Sequence, residues 1–180
     1  GVQWPEVIHA DQTRTAGATN EWGIVNRERG GERLGIGGRI AANIHGGGLR
    51  LKPYVGDIES FTLVSADGQV VRCSRWQNSD LFKLAIGGYG LFGVVSSVTL
   101  RLTQRQKLQR VVELVRIDDV MQRFEQRVAE GFLYGDCQFA LDPASEDFLR
   151  RGIFSCYKPV DPTMPIPARQ REIAEQQWLR

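Results

Sequence analysis

The chain has 180 residues, 42% of them hydrophobic and 24% charged, enough to bury a core in one domain or two small ones and too apolar for a disordered segment. Its 23 basic and 21 acidic residues are interspersed, leave a net charge of +2 and build no basic run, which argues against a nucleic-acid partner. No apolar run approaches the roughly 18 residues of a membrane span, and Cys73, Cys137 and Cys156 are odd in number without a CxxC pair, which argues against a disulfide framework or a zinc site.

The thiols read as small, partly buried side chains, and a soluble cytoplasmic chain is expected. The opening Gly1-Val2-Gln3-Trp4-Pro5 lacks an initiator Met and reads as the interior of a longer protein.

In chain order, Pro5 suits a first helical position and Val7, Ile8 and Ala10 can share a face, which predicts a short helix over residues 5–12, with His9 solvated or capping. From Thr13 to Gly48 regular patterning fades and half of the 20 glycines are concentrated, so a long loop is expected, with one short helix over Gly38 to Ile44. Phe61 to Arg72 reads as a hairpin about Asp67-Gly68, whose Asp-Gly pair supplies the positive φ angles of a tight turn.

Asn78-Ser79-Asp80 predicts a side-chain cap for a helix through Leu84. Gly93 to Leu102 alternates with period two, placing Val94, Val98, Leu100 and Leu102 on one face of a strand and Ser97, Thr99 and Arg101 on the other.

Composition shifts at Gln104-Arg105-Gln106-Lys107, the expected domain boundary, giving domains 1–103 and 104–180. Beyond it, Leu108 to Ile117 predicts a strand, Asp118 and Asp119 a cap, and Val120 to Glu130 a helix with Val120, Met121, Phe124 and Val128 inward, ended by Gly131. Phe132 to Leu141 and Gly152 to Tyr157 complete a β-α-β-β pattern. A proline-rich stretch and a polar helix from Ala168 follow, the latter with Ile173, Trp178 and Leu179.

Ile86-Gly87-Gly88-Tyr89-Gly90-Leu91-Phe92-Gly93 contains a formal G-x-G-x-x-G at Gly88, Gly90 and Gly93. A Rossmann fingerprint needs a strand before the glycines and a helix after them; here a helix precedes and a strand follows, and no acidic residue stands at 104–112 to hold a ribose. The glycines read either as a sharp turn or as a surface that lets a flat or charged ligand approach the backbone.

A second cluster, Gly35 to Gly48, combines small residues with Asn43 and His45 and offers many N–H donors with little bulk. Asp57 and Glu59 share a strand face and read as structural or surface groups, and Trp4, Trp22, Trp76 and Trp178 as core or interface anchors.

Taken together, Gly35-Ile36-Gly37-Gly38-Arg39-Ile40-Ala41-Ala42-Asn43-Ile44-His45-Gly46, then Gly56-Asp57-Ile58-Glu59-Ser60-Phe61, Ala66-Asp67-Gly68, Asp80-Leu81-Phe82 and Gly87 to Val95 stand in a telling order. They resemble the motifs T-V-G-G-x-x-A-x-N-x-H-G, G-D-x-V-x-S, A-D-G, D-L-F and G-G-x-G-x-x-G-V-I. These belong to the FAD-linked oxidases of the vanillyl-alcohol oxidase and p-cresol methylhydroxylase type, a family that includes the bacterial decaprenylphosphoryl-ribose oxidase.

The resemblance covers residues 1–103. It implies an α+β fold: the second subdomain of a PCMH-type FAD-binding domain, mainly antiparallel sheet with helices, followed by part of an α/β substrate cap. It implies FAD as cofactor and oxidation of a hydroxylated small molecule such as a sugar or alcohol. It also implies cofactor contacts from Gly35, Ile36, Gly37, Gly38, Asn43, His45, Gly46, Gly47, Gly48, Gly88, Gly90, Val94 and Val95, with no catalytic residue identified.

Gly35 stands where the family carries Thr, which removes a hydroxyl. The family's N-terminal FAD subdomain has no counterpart in the sequence, so the alternative expectation is a truncated, inactive domain that self-associates.

Overall fold

The computed structural model describes residues 1–15, 21–26 and 34–167. It divides into two units, the first comprising the described residues up to Arg105 and the second those from Gln106. Mixed helix and antiparallel sheet make the fold α+β.

The first unit opens with α1 (Trp4–Thr15), longer than the helix expected from Pro5. The Glu6 carboxylate accepts the Gln3 N–H at 2.7 Å, half of a capping box that fixes the helix start. Next come β1 (Trp22–Ile24) and α2 (Ile36–Ala41), the latter two residues before the expected position. Ile36 N–H donates to the Val2 carbonyl at 3.0 Å, tying the two helix starts together.

Helix α2 ends as a Schellman motif: Asn43, at φ +48°, donates its N–H to Ile40, and Ile44 donates to Arg39. Asn tolerates the left-handed backbone better than a branched residue, which accounts for Asn43 locally.

The core sheet has the order β3-β2-β4, all antiparallel, from β2 (Ile58–Val64), β3 (Val70–Ser74) and β4 (Val94–Leu100). Ile58, Phe61 and Leu63 of β2 are buried against Trp4, Ile40, Tyr54 and Cys73, while Phe82 of α3 (Ser79–Ala85) stacks on Phe61 with ring centroids 5.1 Å apart. A short 3-10 turn, Tyr54–Asp57, leads into β2 and is clamped by Arg75, whose guanidinium donates to the Val55 and Ile58 carbonyls at 2.8 and 2.7 Å.

The buried Asp57 carboxylate accepts both the backbone N–H and the side-chain amide of Asn26, at 2.9 and 2.8 Å. Its expected structural role is visible in these bonds, while Glu59 pairs with Arg101 at the surface.

Three local expectations are corrected. The Asp67-Gly68 turn has one positive φ, at Gly68 (+80°), and spans Ser65 to Gln69, with the Ser65 hydroxyl held by the Asp67 carboxylate. Asn78 precedes α3 in a left-handed conformation with no side-chain cap; its amide donates to the Arg72 carbonyl instead.

In β4, Thr62 pairs with Ser97 and Leu63 with Val95, so Ser96 is a bulge residue and the alternation shifts across it. Val95, Val98 and Leu100 therefore face the core and Val94 is 70% exposed. Leu102 is not part of β4 but opens β5 (Leu102–Gln104), which pairs antiparallel with β1.

The second unit pairs β6 (Leu108–Arg116), β8 (Arg151–Pro159) and β7 (Tyr134–Phe139) in the antiparallel order β6-β8-β7. Helix α4 (Val120–Ala129) covers the face bearing Glu113, Phe154 and Cys156. Phe124 meets Phe154 edge to face at 4.7 Å, and Arg127 pairs with Glu113 at 3.1 Å and with Glu130 at 2.9 Å. Burial alone would lower the Arg127 pKa, but its two carboxylate partners outweigh burial and raise it.

Met121, expected inward, is 69% exposed, and Asp119 makes no side-chain cap. Gly131 does end α4, at φ +84°, with Phe132 N–H returning to the Arg127 carbonyl. The expected helix from Ala168 lies outside the described residues.

Candidate functional site

The two glycine segments meet through backbone hydrogen bonds. A helix end leaves carbonyls without intrahelical partners, and the last ones of α2 are met by the second segment: Gly87 N–H donates to Ile40 at 3.0 Å and Tyr89 N–H to Ala41 at 2.9 Å. The turn that looks like a dinucleotide fingerprint is therefore the cap of the helix in the first cluster.

Its glycines differ in what requires them. A Cβ on Gly88 would lie 2.3 Å from the Leu84 carbonyl oxygen, and one on Gly93 would lie 2.4 Å from that of Val64, so both are demanded by packing. Gly90, at φ +82°, and Gly38 have nothing within 4 Å of the Cβ position.

Beside this junction runs a groove of about 850 Å³. One wall is Gly35, Ile36, Gly37 and Gly38; a second is Gly90, Phe92 and Gly93 leading into Val94 and Val95 of β4; a third is the stripe Val7, Ala10, Asp11 and Arg14 of α1. Helix α2 lies against β4 at Gly37, whose Cβ position is 3.4 Å from the Val95 carbonyl oxygen. The lining is mostly aliphatic carbon and bare backbone, with Glu6, Asp11, Arg14, Ser96 and Ser97 as its polar side chains.

Of the thirteen residues expected to bind cofactor, Gly35, Ile36, Gly37, Gly38, Gly90, Val94 and Val95 line the groove. Asn43, His45, Gly46, Gly47, Gly48 and Gly88 do not. His45 is exposed, Gly48 closes over the Leu51 side chain, and Asn43 packs against Gly87 at the helix end. The α1 wall was missed, although Val7, Ala10, Asp11 and Arg14 recur at i, i+3, i+4 and i+7, a spacing readable in the sequence.

Beneath α2 lies a buried polar stack. Arg39, fully buried, sits 5.2 Å over the Trp4 ring, and Trp4 meets Tyr54 edge to face at 5.5 Å. Burial raises the Tyr54 pKa well above the ordinary phenol range against the pull of Arg39, and burial lowers that of Arg39.

The thiols are not poised for chemistry: burial pushes Cys156 up to about 11 and raises Cys73 and Cys137 as well. No helix among the described residues is long and apolar enough to cross a membrane.

No family model matches the chain. Individual relatives do. It is 34% identical over 86 residues to cytokinin dehydrogenase 9 of Oryza sativa subsp. japonica, covering 47% of this chain and 16% of the relative. It is 34% identical over 95 residues to the mitochondrial L-galactono-1,4-lactone dehydrogenase 1 of the same plant, covering 53% and 16%. An uncharacterized oxidoreductase, ORF5 of the fasciation locus of Rhodococcoides fascians, is 32% identical over 114 residues, covering 63% and 25%.

The matched part thus spans between about a sixth and a quarter of the length of these relatives. The chain is related to oxidoreductases.

Proposed function

We propose that the groove of the first unit is part of an FAD site, and that the chain belongs to a flavin-dependent oxidoreductase of the PCMH type. The observation that carries this reading is the joining of the two glycine segments around one groove, with open space at the Cβ positions of Gly38 and Gly90. The groove tests favourably for a long, partly aromatic, partly anionic group: its aliphatic residues would suit a ring, and its side-chain-free glycine segments would let phosphate oxygens approach the backbone.

Gly35 to Gly38 would hold the diphosphate side of the cofactor, and Gly90, Val94 and Val95 the opposite wall. Bound FAD supplies a two-electron acceptor for a hydride. The chain's own residues do the positioning: β4 keeps Val95 against Gly37, and the buried Arg39-Trp4-Tyr54 stack holds α2 in place. No side chain of this chain is assigned as acid or base.

The second unit, in this reading, is part of a substrate cap. The names of the relatives divide on substrate, between a cytokinin and a sugar-derived lactone. The lactone dehydrogenase supports a small hydroxylated substrate, such as a sugar or alcohol, for this chain.

The test is the visible spectrum of purified protein after incubation with FAD and gel filtration. A retained flavin band upholds the reading; colourless protein eluting as a dimer favours the inactive, self-associating alternative.

A further inference from the structure

We propose that Arg14 is the anion-binding residue of the groove and holds a phosphate of the molecule bound there, an inference that rests on the flavin reading of that groove. Arg14 lies in the last turn of α1, seven residues after Val7, and lines the groove together with Val7, Ala10 and Asp11. The polar side chains of the lining are Glu6, Asp11, Ser96, Ser97 and Arg14, so Arg14 is the one cationic side chain beside two carboxylates.

That balance decides what the groove can hold. Two like charges about 4 Å apart repel by about 1 kcal/mol even at the dielectric of water. A phosphate is therefore disfavoured by the carboxylates unless a cation offsets them. The glycine segments give an anion room to approach the backbone but carry no net charge, and Arg14 supplies it.

Arg14 is also free to do so. Arg101 pairs with Glu59, Arg105 with Glu21, and Arg75 donates to the Val55 and Ile58 carbonyls. The exposed guanidinium of Arg14 pairs with no carboxylate among the described residues and keeps its planar fork of N–H donors, which matches two oxygens of one phosphate. The start of α1 is tied to the first glycine segment, by the bridge between Gln3 and Gly35 and by the Ile36 N–H bond to the Val2 carbonyl. Long side chains on a helix lean toward its N-terminus, which for α1 is the end joined to that segment.

The experiment measures FAD affinity at low and high salt, riboflavin affinity and melting temperature for the wild-type chain, Arg14→Gln and Arg14→Lys. Glutamine keeps the helix, so Arg14→Gln is expected to melt within about 2 °C of wild type. It is expected to bind FAD about tenfold more weakly at low salt, through loss of a charged hydrogen bond. Wild-type FAD affinity is expected to fall as salt rises and that of Arg14→Gln to change less, because the screened charge is gone. Arg14→Lys, which keeps the charge without the fork, is expected to lie between the two.

Riboflavin carries the ring system without phosphate and is expected to bind wild type and Arg14→Gln alike. Wild-type FAD affinity in Arg14→Gln, or equal losses for FAD and riboflavin, overturns the proposal and leaves the flavin reading standing. A wild-type chain that binds no FAD overturns the flavin reading and this proposal together.

Discussion

The N–H of Gly87 donates to the carbonyl of Ile40 at 3.0 Å, joining segments 47 residues apart in the chain. One glycine-rich stretch caps the helix of the other, and the groove walls are thereby fixed relative to each other. The glycines of the turn consequently differ: Gly88 and Gly93 are required by packing, whereas Gly90 is favoured by its positive φ and borders open space.

Gly88→Ala and Gly93→Ala are expected to destabilise the first unit by about 2 kcal/mol or more each, because the added methyl collides with backbone oxygens that cannot yield as a side chain can. Gly93 also sits at φ +134°. Chemical denaturation checks this; either variant unfolding at the wild-type midpoint contradicts the packing assignment.

Asp57→Ala is expected to cost about 2 kcal/mol, because it strands the Asn26 N–H and side-chain amide in a buried setting. Asp57→Asn keeps an oxygen there and is expected to lose about half as much. Equal loss in both variants contradicts a hydrogen-bonding role for the carboxylate.

The Cys156 thiol provides a pH test. Its ordinary value of 9.0 is raised by burial to about 11, so the folded chain retains a proton that the unfolded chain releases. The corresponding stability is fully present below pH 9.0 and is lost as pH rises toward about 11. Cys156→Ala is expected to flatten this alkaline decline, measured as melting temperature against pH; an unchanged slope contradicts the assignment.

What the sequence made legible was mostly local. The Asp67-Gly68 hairpin, the stop at Gly131 and the reversed order of elements about Gly88 follow from residues that set their own backbone angles. The bulge at Ser96 depends on how β4 meets β2, and it moved Val94 out of the core. Strand β1 was missed because its partners, Leu102 to Gln104, lie 78 to 82 residues away and its own three residues carry no pattern. At the candidate site, the motif stretches identified the glycine walls. They did not distinguish Gly88, which packs against Leu84, from Gly90, which borders open space. That distinction depends on contacts made across the fold.

Gly38→Leu tests the central claim most directly, with FAD affinity and melting temperature measured on the same samples. Nothing lies within 4 Å of the Cβ position of Gly38, and leucine is the better helix former, so the variant is expected to be as stable as wild type or more so by about 0.5 kcal/mol. Gly38 lines the groove, so the added side chain is expected to narrow it and FAD affinity to fall at least about tenfold, the loss of roughly 1.4 kcal/mol of binding. A stable Gly38→Leu protein that binds FAD as wild type does would contradict the groove as the flavin site.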